Sequence, residues 1–503
     1  MQSNDFHNTD LGNAKRLVHY HGGKLRWVRQ WGWLYWNGKQ WEVNEAQAEC
    51  AAKDIPAKIH LECAELPDGD ERKALDKWAF NSEFGKRISE ILRLARSEPE
   101  IRADSGDFDR GHWLLNLQNG TLDLKTGELL PHNPANMITK MAGVSFEPEA
   151  DCPNWLKFLD EIMLGKQSLV TYIQRCVGYS LTGDTSEQCF FMPYGTGNNG
   201  KSTLLEIVAA MLGDYGKATD FKTFLAKDDN GPRNDLAALA GARFVMAKES
   251  ERGQKLAESL LKTLTGQDTV EARFLNKEFF SFKPAFKIFL ATNHKPMIRG
   301  QDLGIWRRVK LIPFEFSVPS DQIDTKLLGK LLVELPGILN WAMQGCLDWQ
   351  RGGLAEPVEV TIATKAYRNE QDVLADFIST ECTIKKERGK KEVKEGSKTL
   401  YNAYAQWCKD NSEKPISNRS FASAIRERGY QVEAGAGNQK FVKGLRLKTN
   451  EEKEAEAKKG AEQENAEDLF NSSNRINYEN DECIEDVDLE EQNRLDSMFA
   501  EAF

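Results

Sequence analysis

Zinc-site spacing is absent from this sequence. Its nine cysteines (Cys50, Cys63, Cys152, Cys176, Cys189, Cys346, Cys382, Cys408 and Cys483) are scattered, with no C-x-x-C pair and no cysteine–histidine cluster. That spacing excludes a zinc ribbon and points to reduced thiols in a reducing compartment. No run approaches the roughly 18 apolar residues of a membrane span, and no apolar segment follows a basic start. The expectation is a cytoplasmic protein that makes no use of a membrane. An excess of basic residues is also missing: 67 Lys and Arg face 77 Asp and Glu, a net charge of −10. From residue 450 onward, however, acids outnumber bases by thirteen, which leaves the preceding residues near +3. An acidic tail therefore masks a neutral to slightly basic body, and overall charge does not argue against nucleic-acid binding.

At 503 residues the chain has room for two to four domains. Residues 1–150 read as a mixed α/β region. Aromatic strand formers flank Asn37-Gly38 in the stretch 31–41, and a second turn of the same kind is expected at Asn119-Gly120. Residues 71–97 have helical composition. The tryptophans beside Arg26 and Arg29 admit two readings, a base-stacking surface or a small packed core. Residues 151–350 alternate helical patterns with the apolar runs 188–193, 242–247 and 286–291, which argues for a parallel sheet. A linker is expected around 352–359. Residues 365–448 then read as helix, helix, helix and hairpin, with Ser417-Asn418 as a cap and the turn near 435–438, an order that suggests a winged helix. Residues 449–503 carry few core formers and are expected to be disordered.

The chemistry concentrates in the second region. Gly195-Thr196-Gly197-Asn198-Asn199-Gly200-Lys201-Ser202 satisfies G-x-x-x-x-G-K-[ST], follows an apolar run and precedes a helical stretch containing Thr203. Glycines let backbone N–H groups wrap a phosphate, and the helix start adds positive potential. Lys201 is placed to reach the β- and γ-phosphates of ATP, and Ser202 to hold Mg²⁺. The strand 243–247 runs into Glu249 and Glu251, which share one side of an extended backbone. Glu249, nearer the strand, is the first choice for the metal and the lytic water. The strand 287–293 ends in Asn293, which is either a turn former or a γ-phosphate contact.

Four segments in order, 195–203, 244–251, 290–296 and 305–314, resemble a superfamily 3 helicase of the phage and plasmid primase–helicase family, related to the poxviral primase–helicase. The resemblance extends over roughly residues 9–448, with 9–17 and 119–124 similar to the region that precedes the motor in that family. It implies an α/β fold built on an AAA+ P-loop core, preceded by a mixed α/β domain and followed by a winged helix and an acidic tail. It also implies a hexameric ring, an ATP site between subunits and 3′-to-5′ translocation on single-stranded DNA. By position, Lys201 and Ser202 are the Walker A pair, Glu249 and Glu251 the Walker B acids, and Asn293 the sensor. Arg308 matches the arginine finger, with Arg307 as runner-up. Two departures stand out. Ser250 separates acids that are adjacent in many members, which leaves their division of labour open. Larger members place a primase domain before the segment 9–17, whereas eight residues precede it here, so the helicase part alone is expected. Asp107 and Asp109 are spaced like a polymerase carboxylate pair but lie in a Gly- and Asp-rich loop without supporting motifs.

Between the Walker B and sensor strands, residues 270–282 read as a hairpin around Asn276-Lys277-Glu278. Relatives push such a hairpin into the channel, which makes Lys277 the DNA contact, with Arg273 or Lys283 at its base; a surface hairpin is the alternative. The basic residues 385–391 with Arg419, Arg426, Arg428 and Lys440 are either a duplex-binding face or a solvated one. The expected partners are single-stranded and forked DNA, other copies of the chain, and a separate primase, polymerase or single-strand-binding protein. A phage source would put the protein in a bacterial host's cytoplasm. Two rival functions use the same motifs: an ATP-driven loader or remodeller on DNA, and a regulatory ATP switch.

Overall fold

The structure is a computed structural model that describes residues 6–226, 233–248, 253–273, 279–300, 302–319, 324–384, 393–411, 413–435 and 439–453. The chain divides into two compact units, Met1–Gln371 and Asp372–Phe503.

The first unit opens with helix Asp10–His21, capped by the Thr9 hydroxyl, which accepts from the Gly12 N–H at 3.0 Å. Strands Leu25–Val28, Gly32–Trp36 and Trp41–Val43 follow as an antiparallel meander, joined in parallel by Arg102–Ala103. The Asn37-Gly38 turn forms as expected: Asn37 Oδ1 accepts from the N–H groups of Lys39 and Gln40 at 2.9 Å each, and Gly38 has φ +98°. Strand alternation sends Trp33 and Tyr35 toward helices Glu45–Glu65, Asp70–Ser82 and Gly85–Ala95, and Leu34 and Trp36 toward Trp41 and Phe108. A buried ion pair, Arg16–Glu62 at 2.8 Å, ties the first helix to the second.

The hairpin Leu114–Leu117 and Gly120–Asp123 differs from expectation by one residue. Leu117 pairs with Gly120, so the chain turns at Gln118-Asn119. The Asn119 side chain is held from outside the hairpin, since it donates to the Phe146 carbonyl at 2.9 Å and accepts from the Phe146 N–H at 3.0 Å. Leu115, Leu117, Leu122 and Leu124 share the large core around the parallel sheet rather than the core of the N-terminal helices.

That sheet has five parallel strands in the order Val309–Pro313, Phe190–Tyr194, Lys287–Ala291, Phe244–Lys248 and Gly216–Asp220. The three apolar runs of the sequence are its three central strands, continuous in hydrophobicity because both faces are covered. Phe191, Phe289 and Phe244 stack across neighbouring strands on one face, with ring centres 4.7 and 4.8 Å apart. Phe190, Ile288, Leu290 and Val245 fill the other. Two buried cations lie at the strand starts. Arg243 donates to the carbonyls of Leu181, Gly111 and Leu114, and Lys287 to those of Thr182, Asp184 and Ala285. Arg243 thereby fastens the segment before the 114–123 hairpin to the sheet.

Helix Val358–Glu370 begins inside the stretch expected as a linker, which is reduced to residues 353–357. Only Val360 and Tyr367 of this helix are buried, so it lacks the apolar stripe that would announce it.

The second unit contains helices Val373–Glu381, Ser397–Asp410 and Asn418–Glu427 and a three-stranded antiparallel sheet, Lys394–Gly396, Lys440–Lys443 and Val432–Ala434. Ser417 caps the third helix, accepting from the Ser420 N–H. Phe377, Leu400, Tyr404, Phe421, Ile425 and Val442 make its core. Residues 436–438 of the turn expected at 435–438, the whole basic stretch 385–391, and the tail from 454 onward lie outside the described residues. Among the described residues, eight cysteines are free thiols, no group of three or more His, Cys, Asp and Glu side chains is placed to hold a metal, and no helix is long and apolar enough to cross a membrane.

Candidate active site

The loop 195–200, the candidate phosphate loop, lies between strand Phe190–Tyr194 and helix Lys201–Leu212. Its three glycines have different reasons to be glycine. A β-carbon on Gly195 would stand 2.1 Å from the Phe314 carbonyl oxygen, and one on Gly200, at φ +82°, would stand 2.6 Å from Ile162 Cγ2. A β-carbon on Gly197 would meet nothing within 4 Å. The fold itself demands the outer two, whereas the space at Gly197 is open to an incoming group. Thr196, Gly197 and Asn198 are exposed, with Asn198 in the left-handed region at φ +56°. The loop is braced from the neighbouring strand: Asn199 Nδ2 donates to the Phe314 carbonyl at 3.3 Å, and Val318 N–H to the Asn198 carbonyl at 2.8 Å.

Lys201 is buried, at 6% exposure, and folds back into the loop. Its Nζ donates to the carbonyls of Gly195 (2.7 Å) and Thr196 (3.1 Å) and to Asn199 Oδ1 (2.8 Å). Among the described residues no carboxylate compensates the charge, and burial pulls its pKa down to about 8. A cation held by these neutral oxygens fits an anionic ligand that arrives from outside. Ser202 is exposed and Thr203 half-buried in the first helical turn.

Strand Lys287–Ala291 lies directly beside the phosphate-loop strand, and the bridge between Tyr194 and Thr292 carries the contact to the loop. Asn293 is the next residue. It is half-buried, and its amide has no partner among the described residues. Strand Phe244–Lys248 lies one place further out. Lys248 forms an ion pair with Glu206 of the phosphate-loop helix, a partner that the sequence signals only as an acid in an otherwise apolar helix. Glu249 and Glu251 lie outside the described residues.

The arginine pair follows the short helix Leu303–Trp306, at the start of strand Val309–Pro313. Arg308 is buried, donating from Nε to Thr265 Oγ1 at 3.1 Å and from Nη1 to the Gly304 carbonyl. Arg307 is exposed and donates to Gln188 Oε1 at 2.8 Å. Val309 pairs with Phe190 in parallel register, so both arginines stand at the opposite end of the strands from the phosphate loop. Five strand residues at roughly 3.3 Å each put about 16 Å between them.

Strands Val270–Ala272 and Phe280–Phe282 pair antiparallel, as the legs of the expected hairpin. The Arg273 guanidinium lies 4.7 Å from the Phe279 ring centre, and Lys277 lies outside the described residues. Asp107 and Asp109 are occupied in loop closure: Asp107 pairs with Arg110 and caps the Asp104 N–H, and Asp109 accepts from Thr139 N–H and Oγ1.

Residues 14–164 match the family described as D5 N terminal like, and residues 194–308 a family of unknown function (DUF5906). The chain is 30% identical over 328 residues to the "Putative helicase L207/L206" of Acanthamoeba polyphaga mimivirus, covering 61% of this chain and 34% of that protein. It is 28% identical over 228 residues to the "Putative helicase 022R" of Frog virus 3, covering 41% and 23%. It is 24% identical over 363 residues to the "Putative primase C962R" of African swine fever virus, covering 66% and 36%. The chain thus spans about a quarter to a third of the length of these relatives. An apo structure of the NrS-1 C terminal region aligns with a TM-score of 0.48 at 10% identity, covering 87% of this chain and 99% of that one. The chain is a mixed α/β protein similar to proteins named as helicases and primases in large DNA viruses, and these likenesses support a primase–helicase family.

Proposed function

We propose that this chain is the motor of a DNA helicase: a superfamily 3 AAA+ ATPase that assembles as a hexameric ring and translocates 3′-to-5′ on single-stranded DNA during replication of a viral, phage or plasmid genome. Lys201 carries the reading, as a buried cation without a counter-ion among the described residues, at the head of the helix that leaves the phosphate loop. Lys201 and the loop N–H groups hold the ATP phosphates, and Ser202 with Glu249 holds Mg²⁺. When bound, the metal neutralises charge on the phosphates. Glu249, with Glu251 beside it, orients and deprotonates the attacking water, and Asn293 reports on the terminal phosphate. The sheet order supports these roles, because the sensor strand lies between the phosphate-loop strand and the strand that leads to the acids.

Burial reverses the order of the two arginines. The resemblance favours Arg308, but its guanidinium is spent on Thr265 and Gly304. Arg307 is the exposed one, at the end of the sheet away from its own phosphate loop, which suits a reach toward a neighbouring subunit's nucleotide. We assign the finger to Arg307, with Arg308 fixing the turn that presents it. Lys277 tracks the DNA backbone from the tip of the hairpin, and Arg273 supports its base.

The order of elements in the second unit supports a winged helix. Its Arg428 is paired with Asp372, which leaves Arg419, Arg426 and Lys440 as its contacts to DNA or to a primase, polymerase or single-strand-binding protein. The site of action is the cytoplasm or wherever the element replicates. The test is ATP hydrolysis by the purified chain with and without single-stranded DNA, beside strand displacement on 3′-tailed and 5′-tailed forks. DNA-stimulated hydrolysis with displacement from the 3′-tailed fork is the expected result. Stimulation without displacement overturns the helicase in favour of a loader, and hydrolysis indifferent to DNA favours a regulatory switch.

A further inference from the structure

Of the five tryptophans in and beside the N-terminal meander, Trp33, Trp36 and Trp41 are buried, at 8% exposure or less, Trp27 is half-buried, and Trp31 is 37% exposed. Trp31 is braced against Phe108, 5.4 Å away. It lines a trough of about 810 Å³ on the first unit, within the usual range of ligand sites. Phe280, the first residue of the second hairpin leg, is also in the lining, so the trough runs between the aromatic sheet and the root of that hairpin.

Three cations line the same trough from three separate segments: Arg29 from the turn before Trp31, Lys140 from the segment that returns to the motor, and Lys217 from the edge strand Gly216–Asp220. None of the three side chains has an ion pair or hydrogen bond among the described residues. The acid in the lining, Glu42, is already engaged, accepting from Asn37 Nδ2 at 2.9 Å and Asn44 Nδ2 at 3.0 Å. Arg26, by contrast, is used internally: it lies over the Trp41 ring and donates to the carbonyls of Gly22 and Leu25. The exposed arginine and the exposed tryptophan therefore coincide in one place.

We propose that this trough holds a short stretch of single-stranded DNA, with a base stacked on Trp31 and phosphates contacted by Arg29, Lys140 and Lys217. Aromatic faces combined with unpaired cations are the chemistry of single-strand binding without sequence preference. Cations from three separate segments suit a linear polyanion better than one compact phosphate group. The inference rests on the proposed function for the identity of its ligand. It adds a second contact, away from the hairpin tip, that guides the strand as it meets the motor.

The test uses the full chain without nucleotide and a fluorescein-labelled oligo-dT, with anisotropy read across a salt titration. Trp31→Ala is expected to weaken binding about 10-fold, in line with the loss of one base–aromatic stack, and Trp31→Phe to restore most of it. Combining Arg29→Ala, Lys140→Ala and Lys217→Ala should lower the slope of log Kd against log salt by about 2, three lost phosphate contacts at roughly 0.7 each. Photo-crosslinks from a 5-iodouracil oligonucleotide should fall on the peptide containing Trp31. Wild-type affinity in both variants, with crosslinks confined to residues 270–283, overturns the trough while leaving the motor reading intact. Trp31-dependent binding by a chain that hydrolyses no ATP has the reverse meaning: the trough stands and the motor reading falls.

Discussion

Arg307 and Arg308 are neighbours in sequence and opposites in environment: Arg308 is buried against Thr265 and Gly304, and Arg307 is exposed beside Gln188. One fixes the turn and the other is presented by it. Arg308→Ala should therefore act first on stability, removing two charge-assisted hydrogen bonds, to the Thr265 hydroxyl and the Gly304 carbonyl, at a cost of about 1–3 kcal/mol and lowering the melting temperature. Arg307→Ala should melt like the wild type.

For catalysis the order is reversed. Arg307→Ala should reduce hydrolysis by about 10³-fold or more, the usual worth of an arginine finger, with ATP binding retained. Mixing Arg307→Ala protein with Lys201→Ala protein should restore turnover at interfaces that pair an intact loop with an intact finger, since a ring contact is heterologous. If rings shown to be mixed recover nothing, the trans assignment is wrong.

Lys201 makes nucleotide binding depend on pH in a defined direction. Burial lowers its pKa from the ordinary 10.5 to about 8 in the nucleotide-free protein. The unfolded chain therefore holds more protons between these values, and stability should rise with pH across that window, the cost of the buried charge being fully present below about pH 8. Phosphate favours the charged form, so ATP affinity should fall above about pH 8, by up to about tenfold per pH unit, with proton uptake on binding. Calorimetry in buffers of different ionisation enthalpy measures both effects. Lys201→Met should abolish the proton uptake and hydrolysis together, and a variant that keeps either one contradicts the assignment.

The parts of this chain that were legible in sequence are those whose environment is uniform along the chain. The runs 188–193, 242–247 and 286–291 are apolar throughout because both faces of their strands are covered, and the tight turn at 195–200 is written locally in its glycines. Strand Gly216–Asp220 was not legible, because it lies at the sheet's edge and consists of Gly-Lys-Ala-Thr-Asp. Helix Glu45–Glu65 carries Pro56 within it, the residue that normally ends a helix. At the site, the brace from Phe314 to Asn199 joins positions 115 residues apart. The order of the two arginines is likewise set by Thr265, 43 residues away from Arg308. An Arg-Arg pair is locally symmetric, and packing alone tells its members apart.

The tail can be removed only from a defined point. Glu452 pairs with Arg446, and Lys453 with Glu381, so the last described residues close the Cys382–Thr383 and Arg446–Leu447 ladder. Removing residues 454–503 should leave DNA-stimulated hydrolysis and hydrogen exchange at that ladder unchanged. Removing residues 450–503 should speed exchange there, as expected from losing ion pairs worth up to about 1 kcal/mol each. The tail's Leu495, Met498, Phe499 and Phe503 are spaced as one apolar helical face behind an acidic stretch. If that face docks on a replication partner, Phe499→Ala with Phe503→Ala should unwind DNA alone yet fail to support replication in cells. Normal replication leaves the tail a solubilising role only.

The loop glycines separate folding from function most cleanly. Gly195→Ala places a methyl group 2.1 Å from the Phe314 carbonyl oxygen, a backbone atom just beyond the edge strand Val309–Pro313. The loop must shift away from its brace, and the chain should melt several degrees lower, with hydrolysis lost as a consequence. Gly197→Ala meets nothing within 4 Å, so its melting temperature should match the wild type. A methyl group at Gly197 nevertheless occupies the space into which the loop's N–H groups open, and ATP affinity should fall about 10-fold or more. Equilibrium binding of a fluorescent ATP analogue, read beside the melting curve, distinguishes the two. Wild-type binding by Gly197→Ala means that the phosphates do not approach there, and the roles given to Lys201 and Ser202 would then need another geometry.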